Sequence, residues 1–238
     1  MKRSILSLAI VLLRSLWMRG QKSAYYETYA IQWSDVKAAI AHAPDSIGAL
    51  IDRLAAGDST LRTREILTAY MANSYEHCSP FGDAREARDA LHKGEVAKAM
   101  SLMDAAIKKN PLSLTNNYYY IVCVHASHPE LDEQPNAPLN DSIRQLLELP
   151  ATRLRLIESA IYYSGNGSAR LPYKVTSVDD EYTFMRMLDL PQHTSQSLTN
   201  DLRDHFTLPP HSSTAYQGNE IDFDASRIIE QEQELFGE

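Results

Sequence analysis

Any chemistry done by this chain must come from a few local groupings, and the first is Ser164-Gly165-Asn166-Gly167. This run lacks the lysine and the spacing of a phosphate-binding loop, and it precedes a strand pattern instead of opening a helix. It reads as a loop that needs positive φ at both glycines. Asp179, Asp180 and Glu181 set three carboxylates in a row, oxygen donors for a hard cation such as calcium, but the alternating acids of an EF-hand loop are missing. Acids at the amino end of a helix explain them, with Glu181 paired to Arg186 or Arg170. His77, Cys78, Cys123 and His125 supply the ligand types of a zinc site. Adjacent ligands strain a tetrahedron, however, and Cys123 and His125 fall on different helical faces. His193, His205 and His211 lie in a polar, serine-rich stretch and could serve a nearby Ser or Asp as base. No nucleophile elbow accompanies them, and exposed loop histidines are the default. No catalytic residue, metal or cofactor is assigned.

Aromatic surface is the other candidate. Tyr118, Tyr119 and Tyr120 are consecutive, and Tyr162-Tyr163 follows. Three neighbours on one helix cannot all face inward, so at least one ring is expected at the rim of the hairpin or of a groove, where it suits peptide or sugar contacts. Packing between helices and sheet is the alternative.

The elements that would position these groups are helical up to residue 161. Val96, Ala99, Met100, Met103, Ala106 and Ile107 recur at three- and four-residue steps, the stripe of a helix with one face buried. Lys108 and Lys109 suit its last turn, and Asn110-Pro111 stops it. A second helix starts near Ser113, and the stretch from Ala84 to Ala126 reads as a hairpin of two helices around Gly94 and Pro111. Its spacing resembles the second half of a tetratricopeptide repeat. Only one unit is visible, so flanking helices must close its core. Before it, helices are expected from Ser34 to Ala41, from Ile47 to Ala55 with Asp45 or Ser46 as cap, and from Thr63 to Ser74. After it, Pro129 to Pro138 reads as a loop, followed by a helix capped by Asn140 or Asp141 and another short one carrying Leu154, Leu156, Ile157 and Ile161.

Past residue 162 the period changes from 3.6 to 2. Tyr173 to Val178, Asp204 to Leu208 and Ala215 to Phe223 are strand candidates, a short helix spans Asp179 to Leu188, and Ala225 to Phe236 is a closing amphipathic helix. The fold class is therefore α+β, with a small antiparallel sheet in the carboxy-terminal third. One domain is expected over 21–238, its helical part 32–161 and its sheet-containing part 162–238.

The chain has 238 residues and a formal charge of −8, which argues against a nucleic-acid partner. Lys2 and Arg3 precede an apolar run from Ile5 to Leu13, about the length of a signal-peptide core and too short for a membrane span. Residues 1–20 are thus expected to direct export, to the periplasm or outside the cell, although Arg14 and Arg19 depart from a good signal. A plain amphipathic helix in a cytoplasmic protein is the alternative. In an exported chain, Cys78 and Cys123 could pair across a loop of about 45 residues, worth roughly 4 kcal/mol. Two separate thiols is the simpler reading.

Asp58-Ser59-Thr60-Leu61, Asn110-Pro111-Leu112, Ser164-Gly165-Asn166-Gly167 and Val178 with Asp180-Glu181-Tyr182 together resemble the recurring blocks of the family called domain of unknown function 4919, proteins of Bacteroidetes-type bacteria. Their order and approximate distances agree over almost the whole chain after residue 20. The resemblance implies a single-unit protein, often with an export signal, in which the Ser164 to Gly167 loop is followed by a strand and the Asp180-Glu181-Tyr182 segment. It implies no activity, cofactor or catalytic residue.

Two functions are carried forward. One is an exported, non-enzymatic module that binds a protein or peptide beside Tyr118 to Tyr120. The other is a hydrolase or small-ligand-binding protein whose site lies where the Ser164 to Gly167 loop meets the sheet, using Asp180, Glu181 or a carboxy-terminal histidine. The second requires a concave pocket with convergent polar groups there.

Overall fold

A computed structural model of the chain describes residues 28, 30–77, 79–133 and 139–237. The export segment 1–20 and Cys78, hence its pairing with Cys123, lie outside the described residues.

Helices α1 (Trp33–His42), α2 (Pro44–Ala55) and α3 (Thr63–Glu76) open the fold. Gln32, not Ser34, precedes α1, and its backbone N–H donates to Asp35 Oδ2 at 3.0 Å. Pro44 both ends α1 and begins α2, where its missing N–H costs nothing. The stretch expected as a two-helix hairpin contains three helices: α4 (Arg85–His92), α5 (Val96–Lys109) and α6 (Leu114–Ser127). Gly94, at φ +77°, makes the turn between the first two. Asn110-Pro111 turns the chain as expected, and Asn116 seals it, its amide donating to the carbonyls of Ala106 and Asn110 at 3.1 and 3.2 Å.

After the short α7 (Glu130–Glu133), helix α8 (Asp141–Ser164) runs unbroken through Pro150, where two helices are expected. Ile143, Leu147, Pro150, Leu154, Ile157 and Ile161 step by four and three along one packed stripe. Burial of that stripe against α3 and α6 outweighs the roughly 3 kcal/mol that an interior proline costs.

The carboxy-terminal part holds β1 (Tyr173–Lys174), α9 (Val178–Met187), β2 (Ser195–Leu198), β3 (Arg203–Thr207), β4 (Glu220–Asp224) and α10 (Ser226–Phe236). The sheet order is β1-β4-β3-β2, and it is mixed, not antiparallel: Tyr173 pairs with Phe223 in a parallel ladder. Parallel pairing is open to β1 and β4 because α9, β2 and β3 intervene between them. Strand β1 is shorter than Tyr173 to Val178 because Ser177 caps α9, its hydroxyl accepting from Asp180 N. Strand β2 is exposed along its length and has a single apolar residue, Leu198, so it carries no alternation that a sequence reading can find. Aromatic rings of Tyr173, Phe184, Phe206 and Phe223 pack edge-on or tilted between α9 and the sheet. Among the described residues, no helix is long and apolar enough to cross a membrane.

Candidate functional site

The loop after α8 is built to reach the sheet. Ser164 is fully buried, donating to the Ile161 carbonyl at 2.7 Å and accepting from Lys174 N at 2.9 Å. Gly165 is extended at φ −163°, so the expectation of positive φ fails there. Its constraint is space, since a Cβ would lie 2.4 Å from the Pro172 carbonyl oxygen. Asn166 closes a small turn, its Oδ1 accepting from Ser168 N at 3.1 Å and Ser168 Oγ at 2.7 Å. Gly167 does adopt positive φ, +71°, and its carbonyl accepts from Asp222 N at 2.9 Å. That bond joins the loop to β4.

Beside this junction opens a cleft of about 470 Å³, lined by Gly167, Ser168, Arg203, His205, Tyr216 and Asp222 among others. The period-two geometry of the strands explains why these side chains meet. Arg203 and His205 are two residues apart on β3 and share a face, and His205 is the register partner of Asp222 on β4. Asp222, 3% exposed, accepts from Arg203 Nη1, and its Oδ1 lies 3.3 Å from His205 Nδ1. Arg203 Nε also donates to Asp201 Oδ2 at 2.8 Å, which fixes the guanidinium between two carboxylates. Bonds from Arg203 and Thr199 hold the Asp201 carboxyl down at about 2. Tyr216 Oη donates to the Glu220 carbonyl at 2.5 Å, and burial, with Asp222 and Glu220 nearby, pushes its hydroxyl up to about 12. A carboxylate only accepts, so the His205 Nδ1 that faces it carries a hydrogen, and Nε2 is the ring nitrogen left for another partner.

The remaining anticipated residues go elsewhere. Tyr118, Tyr119 and Tyr120 are all buried, so none forms the rim of a groove. The Tyr118 and Tyr119 rings meet edge-on, and the guanidinium groups of Arg88 and Arg186 lie 5.5 and 5.8 Å from the Tyr119 centroid. Arg186 Nη1 donates to Tyr119 Oη. A helix enclosed by α5, α8 and α9 has no free face, which is how three consecutive rings are all covered.

Asp180 is not a solvated capping acid. It is fully buried and accepts from Tyr70 Oη at 2.8 Å, Thr115 N at 2.9 Å, Thr115 Oγ1 at 2.8 Å and Thr176 Oγ1 at 3.0 Å. Asp179 is bridged by Arg88 at 2.9 Å, yet burial outweighs that charge and raises its carboxyl. Glu181 is fully buried, and neither Arg186 nor Arg170 pairs with it: both its oxygens lack a hydrogen-bond partner. Of the histidines, His193 is exposed, His211 Nε2 faces the Gly218 carbonyl at 2.8 Å, and His205 sits in a strand instead of an exposed loop. Cys123 is a buried free thiol, pushed up to about 12 by burial and Asp104.

Arg203, Tyr216 and Asp222 are among the cleft residues that sequence reading passed over. Arg203-Asp204-His205 carries the signal, since period-two alternation puts Arg203 and His205 on one face; nothing local points to Asp222 as their partner. Compared with family models, with curated proteins and with solved structures, the chain matches none of them.

Proposed function

We propose that this chain is a small-ligand-binding protein whose site is the cleft between the Gly167 turn and strands β3 and β4. The observation that carries this reading is the convergence of Arg203, His205 and Asp222 in one concavity of about 470 Å³, a volume in the range of small-molecule pockets. Arg203 is held by Asp201 and Asp222, so its charge is already compensated, and Glu220 adds a further acid at the cleft. An anionic ligand would meet this acidic balance unfavourably. The ligand class is therefore a neutral molecule with several hydroxyl or amide groups, bonded by His205 Nε2 and lying against Tyr216. The peptide-binding reading loses its surface with the burial of Tyr118 to Tyr120. The resemblance to domain of unknown function 4919 assigns no activity, and export rests on residues 1–20 alone; fractionation of cells expressing the full chain tests it.

Thermal-shift and calorimetric screening of neutral sugars and polyols against phosphates and amines tests the binding reading. Stabilisation by neutral polar compounds, lost in His205→Ala and Arg203→Ala, is the expected result. Stabilisation that survives both substitutions, or none by any compound, overturns it. One observation favours catalysis as a second reading: Asp222 orients His205 as a general base would be oriented. Hydrolysis of simple esters or glycosides by the full chain, abolished in His205→Ala, would establish that reading.

A further inference from the structure

Strand β3 has a second face. While Arg203 and His205 line the cleft, Asp204 and Phe206 point the other way, toward α9, and both are buried. Glu181, in the first turn of α9, is wholly enclosed with neither carboxyl oxygen in contact with a hydrogen donor. Tyr182, the next residue of α9, packs its ring edge-on against Phe206 of β3 at 5.6 Å, which sets the start of α9 against the face of β3 that carries Asp204. The titratable groups about Glu181 are Asp204 from β3 and, on α9 itself, Asp180 and Tyr182. Helix α6, also packed against α9, contributes Thr115, whose hydroxyl bonds Thr183 at 2.8 Å and brings no charge. Asp180 is already satisfied by Tyr70, Thr115 and Thr176.

Two ionised carboxylates cannot face each other in such a place, because each loses its hydration and repels the other. A single proton neutralises one of the two buried charges and turns their repulsion into an O–H···O⁻ bond of the strong, charge-assisted kind, which also solvates the carboxylate that remains. We propose that Glu181 and Asp204 share one proton across the α9–β3 contact, and that this acid–carboxylate pair is a pH-sensitive joint between helix and sheet. Glu181 is the partner that holds the proton, since it is the more deeply buried of the two, and Asp204 accepts. Burial first, and the Asp204 charge second, set the Glu181 carboxyl well above its ordinary value.

The sign of the effect follows. A carboxyl raised in the folded state contributes stability that is fully present below its ordinary value of 4.5 and is lost as pH rises through its folded value. The joint is closed in acid and opens toward alkaline pH, when hydroxide or buffer base takes the proton and leaves two facing anions. The joint lies behind the strand that carries Arg203 and His205, and it stands whether or not the cleft binds a ligand.

Carbon-detected NMR titration of side-chain carboxyls in the full chain tests this directly. Glu181 Cδ is expected to report a protonated carboxyl after the other glutamates have ionised. Titration of Glu181 along with the other glutamates overturns the proposal. Denaturation across the same pH range adds a second readout. Glu181→Gln supplies a permanent N–H donor to Asp204, so its stability should lose the alkaline decline that the unaltered chain shows. An unchanged decline in a folded Glu181→Gln counts against the joint, and if that variant fails to fold, the NMR titration of the unaltered chain decides alone.

Discussion

The amide of Asp222 donates to the carbonyl of Gly167 at 2.9 Å, and this one bond sets the glycine turn against strand β4 beside the Arg203 and His205 side chains. Gly167 is at φ +71°, and a Cβ there would come 2.8 Å from Tyr216 Oη and 2.9 Å from the Tyr173 ring. Gly167→Ala should therefore destabilise by about 1–3 kcal/mol through backbone strain and shift Tyr216 off the Glu220 carbonyl. Denaturant unfolding gives the first quantity, and the Tyr216 ring resonances report the second. A variant with unaltered stability and spectrum would show that the turn does not organise the cleft.

Asp180 joins two helices of the amino-terminal layer, α3 and α6, to α9 through Tyr70 and Thr115, and it also bonds Thr176 in the loop that leads into α9. Tyr70→Phe removes one donor from a buried charge and should cost about 1–3 kcal/mol. Asp180→Ala strands several donors at once and should cost more, about 3 kcal/mol or above, without touching the cleft. Equilibrium unfolding of both variants checks the order. Equal, small effects would remove Asp180 from its place as the link between the two parts.

Tyr119 separates packing from recognition. Tyr119→Phe keeps the ring between Arg88 and Arg186 and loses only the bond from Arg186, a loss of about 1 kcal/mol. Tyr119→Ala empties a core position and should cost about 3–5 kcal/mol. If Tyr119→Ala unfolds at the same denaturant concentration as the unaltered chain, the ring is not packed as described.

Cys123 is buried, and its thiol is held up at about 12, so the nucleophilic thiolate is scarce at neutral pH. Alkylation of the native chain, read site by site by mass spectrometry, should leave Cys123 unmodified until denaturant is added. Rapid labelling of native Cys123 would mean that α6 opens far more readily than its packing implies.

Local chemistry in the chain was enough to place most elements. The 3.6-residue stripe and the lysines of α5, the stop at Asn110-Pro111, and the switch to period two after residue 162 are all short-range features. So is the alternation that makes β3 a strand. These depend on dihedral preferences and neighbours within a few positions, which a sequence carries in full. What the tertiary structure alone decided is which face of each element meets which other. It covered Tyr118, Tyr119 and Tyr120 with three helices, carried α8 through Pro150 by packing its stripe, and paired β1 with β4 in parallel across the 45 residues that lie between Lys174 and Glu220. It also turned Asp180 and Glu181 inward, where capping logic expects solvated acids, and brought Asp222 to His205 and Arg203. Each of these rests on contacts between residues far apart in the chain, whose free energy comes from burial and long-range pairing. No local pattern encodes that term, so the cleft became legible only when the strands stood side by side.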